Sequence, residues 1–278
     1  MESKMHKLSS KEERLFEYIK KLADEKVLIA FSGGVDSSLV LKIAREVTDK
    51  SNVIAVTFNT VLHPKNDIEI VKNLAQDFDV TLEIVQINEI TNEKILYNDV
   101  RRCYYCKKDI FEKIVTLKES LNFAHIMDGS NFDDIFAYRP GKIALKELNV
   151  ISPLQDMHFS KSEVRDLAKK LNISVASRPS KPCMMTRMPY NKRVDMSKFS
   201  SLELAEEYLT SLGFANNRVR LYDDVTRIEV EVDKFSLFFE KREEIIEKFK
   251  DLGFVYINLD MEGFRSGSMD IVIEQGEL

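Results

Sequence analysis

The sequence predicts an α/β fold, a doubly wound parallel sheet, followed by a smaller α+β domain. Three observations carry this. Short apolar runs alternate with amphipathic helical segments through most of the chain, the order of repeated strand–helix–strand units. Residues 27–31 are apolar throughout, as a strand covered on both faces must be. Beyond about Asp195 the order changes to a helix, a pair of strands around a turn, and further short elements. The boundary is therefore set between domains of residues 1–194 and 195–278.

The elements follow in order. Ser10-x-x-Glu13 reads as a capping box that opens a helix with Leu15, Phe16, Ile19 and Leu22 on one face. After strand 27–31, Ser32-Gly33-Gly34 turns the chain tightly into a helix over 36–47. Strand 52–57, a loop through His63-Pro64, helix 67–78 and strand 81–87 continue the alternation. Arg101-Arg102-Cys103-Tyr104-Tyr105-Cys106-Lys107-Lys108 opens a helix running through Phe111, Ile114 and Leu117. Strand 124–127 ends in Asp128-Gly129-Ser130-Asn131. Asp133-Asp134 and Arg139-Pro140-Gly141 then form a polar loop, 150–153 the last strand, and Ser160-x-x-Glu163 caps a helix reaching Leu171.

Residues 176–191 break the pattern, because Pro179, Pro182 and Pro189 allow neither a helix nor a central strand. Cys183 and the basic residues Arg178, Lys181 and Arg187 mark this stretch as a functional loop. The smaller domain then reads as helix 202–212, strands 218–221 and 227–232 around Asp223-Asp224, helix 235–252, and strands 256–259 and 271–274.

With 278 residues the chain can bury a substantial core. Met-Glu-Ser-Lys-Met-His-Lys at the start holds no apolar signal core, and no apolar run is long enough to span a bilayer. The expected location is cytoplasmic, with no membrane partner. Three cysteines, an odd number, do not make a disulfide framework. A net charge of −5 argues against a protein built to coat nucleic acid.

Ser32-Gly33-Gly34 is where chemistry is expected. Without Cβ atoms the backbone can approach a ligand, several N–H groups converge on an anion, and the following helix adds its positive end. Ser32, Ser37 and Ser38 offer hydroxyl donors, and Asp36 could hold a Mg²⁺ riding on phosphates. A lone Gly-Gly says little. The whole string Ser-Gly-Gly-x-Asp-Ser between strand and helix resembles the pyrophosphate loop of the ATP pyrophosphatases, which cleave ATP to AMP and pyrophosphate. It is unlike the kinase and GTPase loop, which ends in Gly-Lys-Ser/Thr.

The cysteines occupy two contexts, Cys103-x-x-Cys106 and the Pro-rich loop at Cys183. A structural zinc site wants four protein ligands, and His6, His63, His125 and His158 stand at no helpful spacing. Three thiolates suit a cubane iron–sulfur cluster with one iron left open, since complete ligation uses four cysteines. Small buried hydrophobes and metal-free redox or catalytic thiols stay open as alternatives. Arg101, Arg102, Lys107, Lys108, Lys181 and Arg187 would lower thiol pKa values and attract an anionic substrate.

Together these stretches, with Tyr138-Arg-Pro-Gly141, Cys183-x-x-x-Arg187-x-Pro-Tyr190 and Gly263-Phe-Arg-Ser-Gly267, resemble the LarE family. Those enzymes are ATP-dependent pyridinium-3,5-biscarboxylic acid mononucleotide sulfurtransferases that build the nickel-pincer nucleotide of lactate racemase. One form sacrifices the sulfur of a single cysteine; the other has three cysteines and a 4Fe–4S cluster that relays sulfide. The three-cysteine pattern of this chain implies the second, with Cys103, Cys106 and Cys183 as ligands. The resemblance further implies that Ser32, Gly33, Gly34, Asp36 and Ser37 hold pyrophosphate and Mg²⁺, and that the backbone near Ala30 and Thr57 meets the adenine of ATP. Lys107 and Asp134 would line the activated carboxylate, and Arg187, Arg218 and Arg265 would bind phosphate or carboxylates of the substrate nucleotide. The expected partners are a pyridinium mononucleotide, sulfide or a sulfur donor, and further copies of the chain in a homo-oligomer, with no nucleic acid. The rivals are a cluster-dependent tRNA thiolase, an amide-forming ligase related to NAD synthetase, and a non-catalytic ATP-binding iron–sulfur carrier.

Overall fold

The apolar run that begins at Val27 becomes strand β1 (Val27–Ala30), in which Val27, Leu28 and Ile29 are fully buried. Each such side chain contributes about 2 kcal/mol by leaving water. The computed structural model describes residues 8–62, 66–87, 90–136, 138–179, 182–265 and 267–274. Met1 to Lys7, the His63-Pro64 loop, Lys181 and Ser266 lie outside the described residues. The chain divides into two compact units, residues 1–90 with 101–181 and residues 91–100 with 182–278. The boundary expected from the sequence, 194/195, lies beyond the Pro182 at which the second unit resumes.

In the first unit, α1 (Ser10–Ala23), β1, α2 (Val35–Val47), β2 (Val53–Thr60), α3 (Asn66–Asp77) and β3 (Thr81–Ile87) alternate. The short α4 (Glu93–Leu96) belongs to the second unit. The first unit then continues with α5 (Arg102–Leu121), β4 (His125–Met127), α6 (Gly141–Glu147), α7 (Pro153–Asp156) and α8 (Lys161–Lys170). The four strands are parallel in the order β3-β2-β1-β4, with Val27 in register with both Val53 and His125. Leu15, Ile19, Leu39, Ile43, Val164 and Leu167 form one core with α1, α2 and α8. Leu28, Val56, Phe111, Ile114 and Leu145 form another with α5 and α6. The sheet is therefore doubly wound. The strand order reverses between β1 and β4, and α/β proteins of this kind bind ligands beyond the strand C-termini at that reversal.

The second unit joins β5 (Asn217–Tyr222) and β6 (Val225–Val230) as an antiparallel hairpin, with β7 (Tyr256–Leu259) parallel to β6. Asp223 turns the hairpin with φ 54°. Helices α9 (Phe199–Ser211), α10 (Phe235–Glu240), α11 (Arg242–Asp251) and α12 (Ile271–Glu274) complete it. Phe214, Ile228, Val230 and Phe249 are fully buried. Among the described residues no helix is long and apolar enough to cross a membrane.

Several elements differ from expectation. The first capping box is Ser9 with Glu12, one residue early: this pair has the same spacing and makes the reciprocal bonds, while the other carboxylate oxygen of Glu12 takes Lys170 at 2.6 Å. The polar loop after β4 winds into a 3-10 turn, Phe132–Phe136, and then into α6. Residues 150–153 form only a bridge, Ile151 to Met127, since Pro153 fits the first position of α7 instead. Helix 235–252 breaks at Lys241, which leaves helical geometry with ψ 6°. The apolar Ile271–Glu274 is a helical turn, not a strand, because its chain enters through turn bonds from Asp270 to Gly267 and from Ile273 to Asp270.

Candidate active site

The two glycines of the first loop do different work. Gly33 has φ 70°, and a Cβ there would stand 2.9 Å from Cγ2 of Val71, so the fold itself demands glycine. Gly34 has φ −80°, and its Cβ would meet only Ser32 Oγ, at 3.5 Å. Neither its φ nor its packing demands glycine, which suits the N-cap position it holds and leaves the turn open to a ligand. Gly34→Ala is expected to change stability by less than about 1 kcal/mol, the reduced freedom of the unfolded chain being offset by alanine's poorer fit to an N-cap, while weakening ATP binding. Thermal melts and ATP titration of that variant check the two effects.

The loop is held from within. Ser37 Oγ donates to Gly34 O at 3.2 Å, accepts the Ser32 N–H at 3.3 Å and lies 3.2 Å from Ser32 Oγ. Gly34 is the N-cap of α2 and no side chain caps it, which leaves first-turn N–H groups for an anion. Arg178 Nη1 donates to Gly33 O at 3.4 Å, which brings one cation of the Pro-rich loop to the turn.

Beyond the loop lies a cleft of about 340 Å³, within the range of small-ligand sites. Ala30 at the end of β1, Thr57 within β2 and Thr60 at its end line it, with Ser32 of the loop, Asp36 and Ser37 in the first turn of α2, and Lys107 and Asp134. Gly129 closes the β4 side: a Cβ there would fall 2.5 Å from Ser37 N. Asp36 accepts Asn131 Nδ2 at 3.0 Å on one oxygen and pairs with Lys161 through the other. Asp128 is nearly buried, accepts the Ser130 and Ser152 hydroxyls at 2.6 Å each, and lies 3.7 Å from Lys107 Nζ. Asp134 accepts the Asn131 N–H at 3.1 Å and pairs with Arg139 at 2.9 Å. Lys142 donates to Asp134 O; burial holds its amine below the ordinary lysine value, with the Asp134 charge opposing.

The cleft can therefore hold a polyanion between the α2 terminus and Lys161, Lys107 and Arg139. Mg²⁺ is commonly bound through one or two carboxylates plus substrate phosphates, and Asp36 fits that requirement as a cleft carboxylate. In the sequence Lys161 stands only as the first residue of a capped helix, which does not mark it as a site residue. Its signal was position: the N-terminus of α8 comes to the same sheet end.

The three cysteines and the three substrate-binding arginines are not among the residues that line the cleft. Cys103 and Cys106 sit one turn apart at the start of α5, Cys103 exposed and Cys106 half-buried. Cys183, half-buried, belongs to the second unit, and none of the three is in a disulfide. Among the described residues no three His, Cys, Asp or Glu side chains stand together as a metal set. The donor chemistry of three reduced thiols nonetheless suits iron and sulfide. In the second unit Arg218 stacks over Phe264 at 5.3 Å; burial pushes its guanidinium below the ordinary value, and the charge of Arg187 pushes the same way. Arg265 pairs with Glu262 and lies 3.5 Å from Asp260. Arg187 is buried against Glu206.

A family model described as NAD synthase matches residues 7–102, the part that carries the loop. A protein of Synechocystis named only as uncharacterised is 35% identical over 96% of this chain and 99% of its own length. One of Methanocaldococcus jannaschii, also named as uncharacterised, is 33% identical over 88% and 93%. The pyridinium-3,5-bisthiocarboxylic acid mononucleotide synthase of Lactiplantibacillus plantarum is 31% identical over 99% of both chains. With the pyrophosphate loop at the β1–α2 turn and a relative matched from end to end, the chain belongs to the LarE family of ATP-dependent sulfurtransferases.

Proposed function

We propose that the protein adenylates a carboxylate of pyridinium-3,5-biscarboxylic acid mononucleotide and converts it to a thiocarboxylate, in nickel-pincer nucleotide biosynthesis. The observation that carries this reading is that one cleft is lined by the pyrophosphate loop, by the ends of β1 and β2, and by Lys107 and Asp134. The full-length likeness to a synthase of the bisthiocarboxylic product supports the choice of substrate.

Adenine would lie against the backbone at Ala30 and Thr57, with the β- and γ-phosphates on the loop N–H groups and the Ser32 and Ser37 hydroxyls. Asp36 would hold Mg²⁺ on those phosphates, sharing its charge with Lys161. The substrate carboxylate oxygen attacks the α-phosphorus, and pyrophosphate leaves into the loop. Lys107, with Asp128 beside it, stabilises negative charge building at the α-phosphate. Sulfide then attacks the acyl carbon and AMP leaves with the original carboxylate oxygen. Asp134, braced by Arg139, orients the activated group. Arg218 and Arg265 would bind the substrate's phosphate or second carboxylate; a buried guanidinium under like-charge pressure gains from such an anion.

Cys103, Cys106 and Cys183 would hold a 4Fe–4S cluster. When bound, it supplies an open iron that carries sulfide. The second unit would serve substrate binding and assembly into a homo-oligomer, and reduced thiols suit a cytoplasmic setting.

The test is the nucleotide product in the presence of the mononucleotide. AMP and pyrophosphate are expected, because the loop clamps a leaving pyrophosphate. ADP and phosphate would contradict the reading, and ATP bound without turnover would favour a carrier.

A further inference from the structure

We propose that Arg187 is a positioning residue for Cys183, not a substrate ligand, and that with Glu206 and Asn98 it locks residues 182–189 of the Pro-rich loop in one conformation. The proposal rests on the reading of Cys183 as the residue that handles sulfur. A proline-rich loop has no strand partner to take its carbonyls, yet Met184, Met185 and Met188 are buried, so those carbonyls need donors. Side chains supply them. Arg187 Nη1 donates to Pro182 O at 3.0 Å, to Cys183 O at 3.4 Å and to Thr186 Oγ1 at 2.8 Å. Thr186 Oγ1 itself donates to Cys183 O at 2.9 Å, and its N–H reaches the same oxygen at 3.1 Å. At the other end Asn98 Nδ2 serves Met185 O, Met188 O and Pro189 O at 3.2, 2.9 and 2.9 Å. The Cys183 carbonyl is thus fixed by three donors.

The remaining edge of Arg187 is closed by Glu206, with Nε and Nη2 at 2.9 and 2.7 Å from the two carboxylate oxygens. Glu206 Oε1 also accepts the Val219 N–H at 3.0 Å, which anchors the pair to β5. The Arg187 side chain is only 3% exposed. Reaching a substrate anion would require it to abandon both the loop carbonyls and a desolvated carboxylate, a strongly unfavourable exchange. Its charge is already neutralised and its geometry already used.

Two readouts separate this role from substrate binding. In Arg187→Ala and in the isosteric Glu206→Gln, hydrogen exchange of the Thr186 and Met188 amides is expected to rise about tenfold or more, the scale of a lost charge-assisted bond. Sulfur transfer should slow with KM for the mononucleotide unchanged. A ligand role predicts the opposite signs: Arg187→Ala raises KM without faster exchange, and Glu206→Gln, by freeing a cation, tightens substrate binding. Either result would overturn the proposal. Because exchange is measured without turnover, it decides the brace even if the wild-type protein transfers no sulfur, an outcome that would instead sink the functional reading. Glu206→Gln keeps its shape and serves where Arg187→Ala does not fold.

Discussion

Cys103→Ala, Cys106→Ala and Cys183→Ala are each expected to remove bound iron and sulfur transfer together, while ATP binding survives in all three. The common loss follows if the thiolates form one ligand set, since two cysteines seldom retain a cubane. The survival follows from the cleft, whose lining includes none of the three cysteines. Iron and sulfide analysis after anaerobic purification, alongside ATP titration, gives the comparison. If Cys183 instead gave up its own sulfur, Cys103→Ala would leave one round of transfer intact. That single observation separates relay from sacrifice.

Gly129→Ala is expected to weaken ATP binding by about 100-fold and to lower stability by about 3 kcal/mol, the upper end of overpacking costs. The added Cβ would stand 2.5 Å from Ser37 N, 2.8 Å from Ser37 Cα and 2.9 Å from the Asp36 carbonyl carbon. All three obstructing atoms are main chain, so no side-chain rotation relieves the clash, and the first turn of α2 must move. That turn carries the N–H groups and the Ser37 hydroxyl that hold the loop. Gly34→Ala, by contrast, adds a methyl group that makes only an ordinary contact with Ser32 Oγ at 3.5 Å. Losing ATP affinity in both but stability only in Gly129→Ala would separate a steric requirement of the fold from one of the ligand. Unimpaired ATP binding in Gly129→Ala would mean that the β4 loop does not support the site.

What was legible in the sequence was local. The apolar run at Val27, the Gly33-Gly34 turn and the strand–helix alternation through Ile87 pointed to the doubly wound sheet; in β1, burial on both faces leaves a continuous hydrophobic string, whereas the edge strand β3 shows only exposed and half-buried positions. The capping box at Ser160 was read directly from its spacing. Ile271–Glu274 misled, because a short apolar run has no period of its own and the preceding turn decided its form. Within the site, Asp36, Lys107 and Asp134 could be named from motifs, and the structure gathers them around one cleft. Lys161 and Arg139 could not be ranked, since a lysine or arginine in sequence carries no sign of the carboxylate it will face. For the same reason nothing in the sequence shows that Arg187 faces Glu206, which takes its guanidinium through both carboxylate oxygens.

The most direct test of sulfur transfer is mass spectrometry of substrate and protein after turnover with ATP, Mg²⁺, the pyridinium mononucleotide and supplied sulfide. The expected result is a mononucleotide in which sulfur has replaced one carboxylate oxygen, formed over repeated turnovers, with the mass of the protein unchanged. A mononucleotide of unaltered mass despite ATP consumption would contradict sulfur transfer, and dehydroalanine at position 183 would contradict the relay.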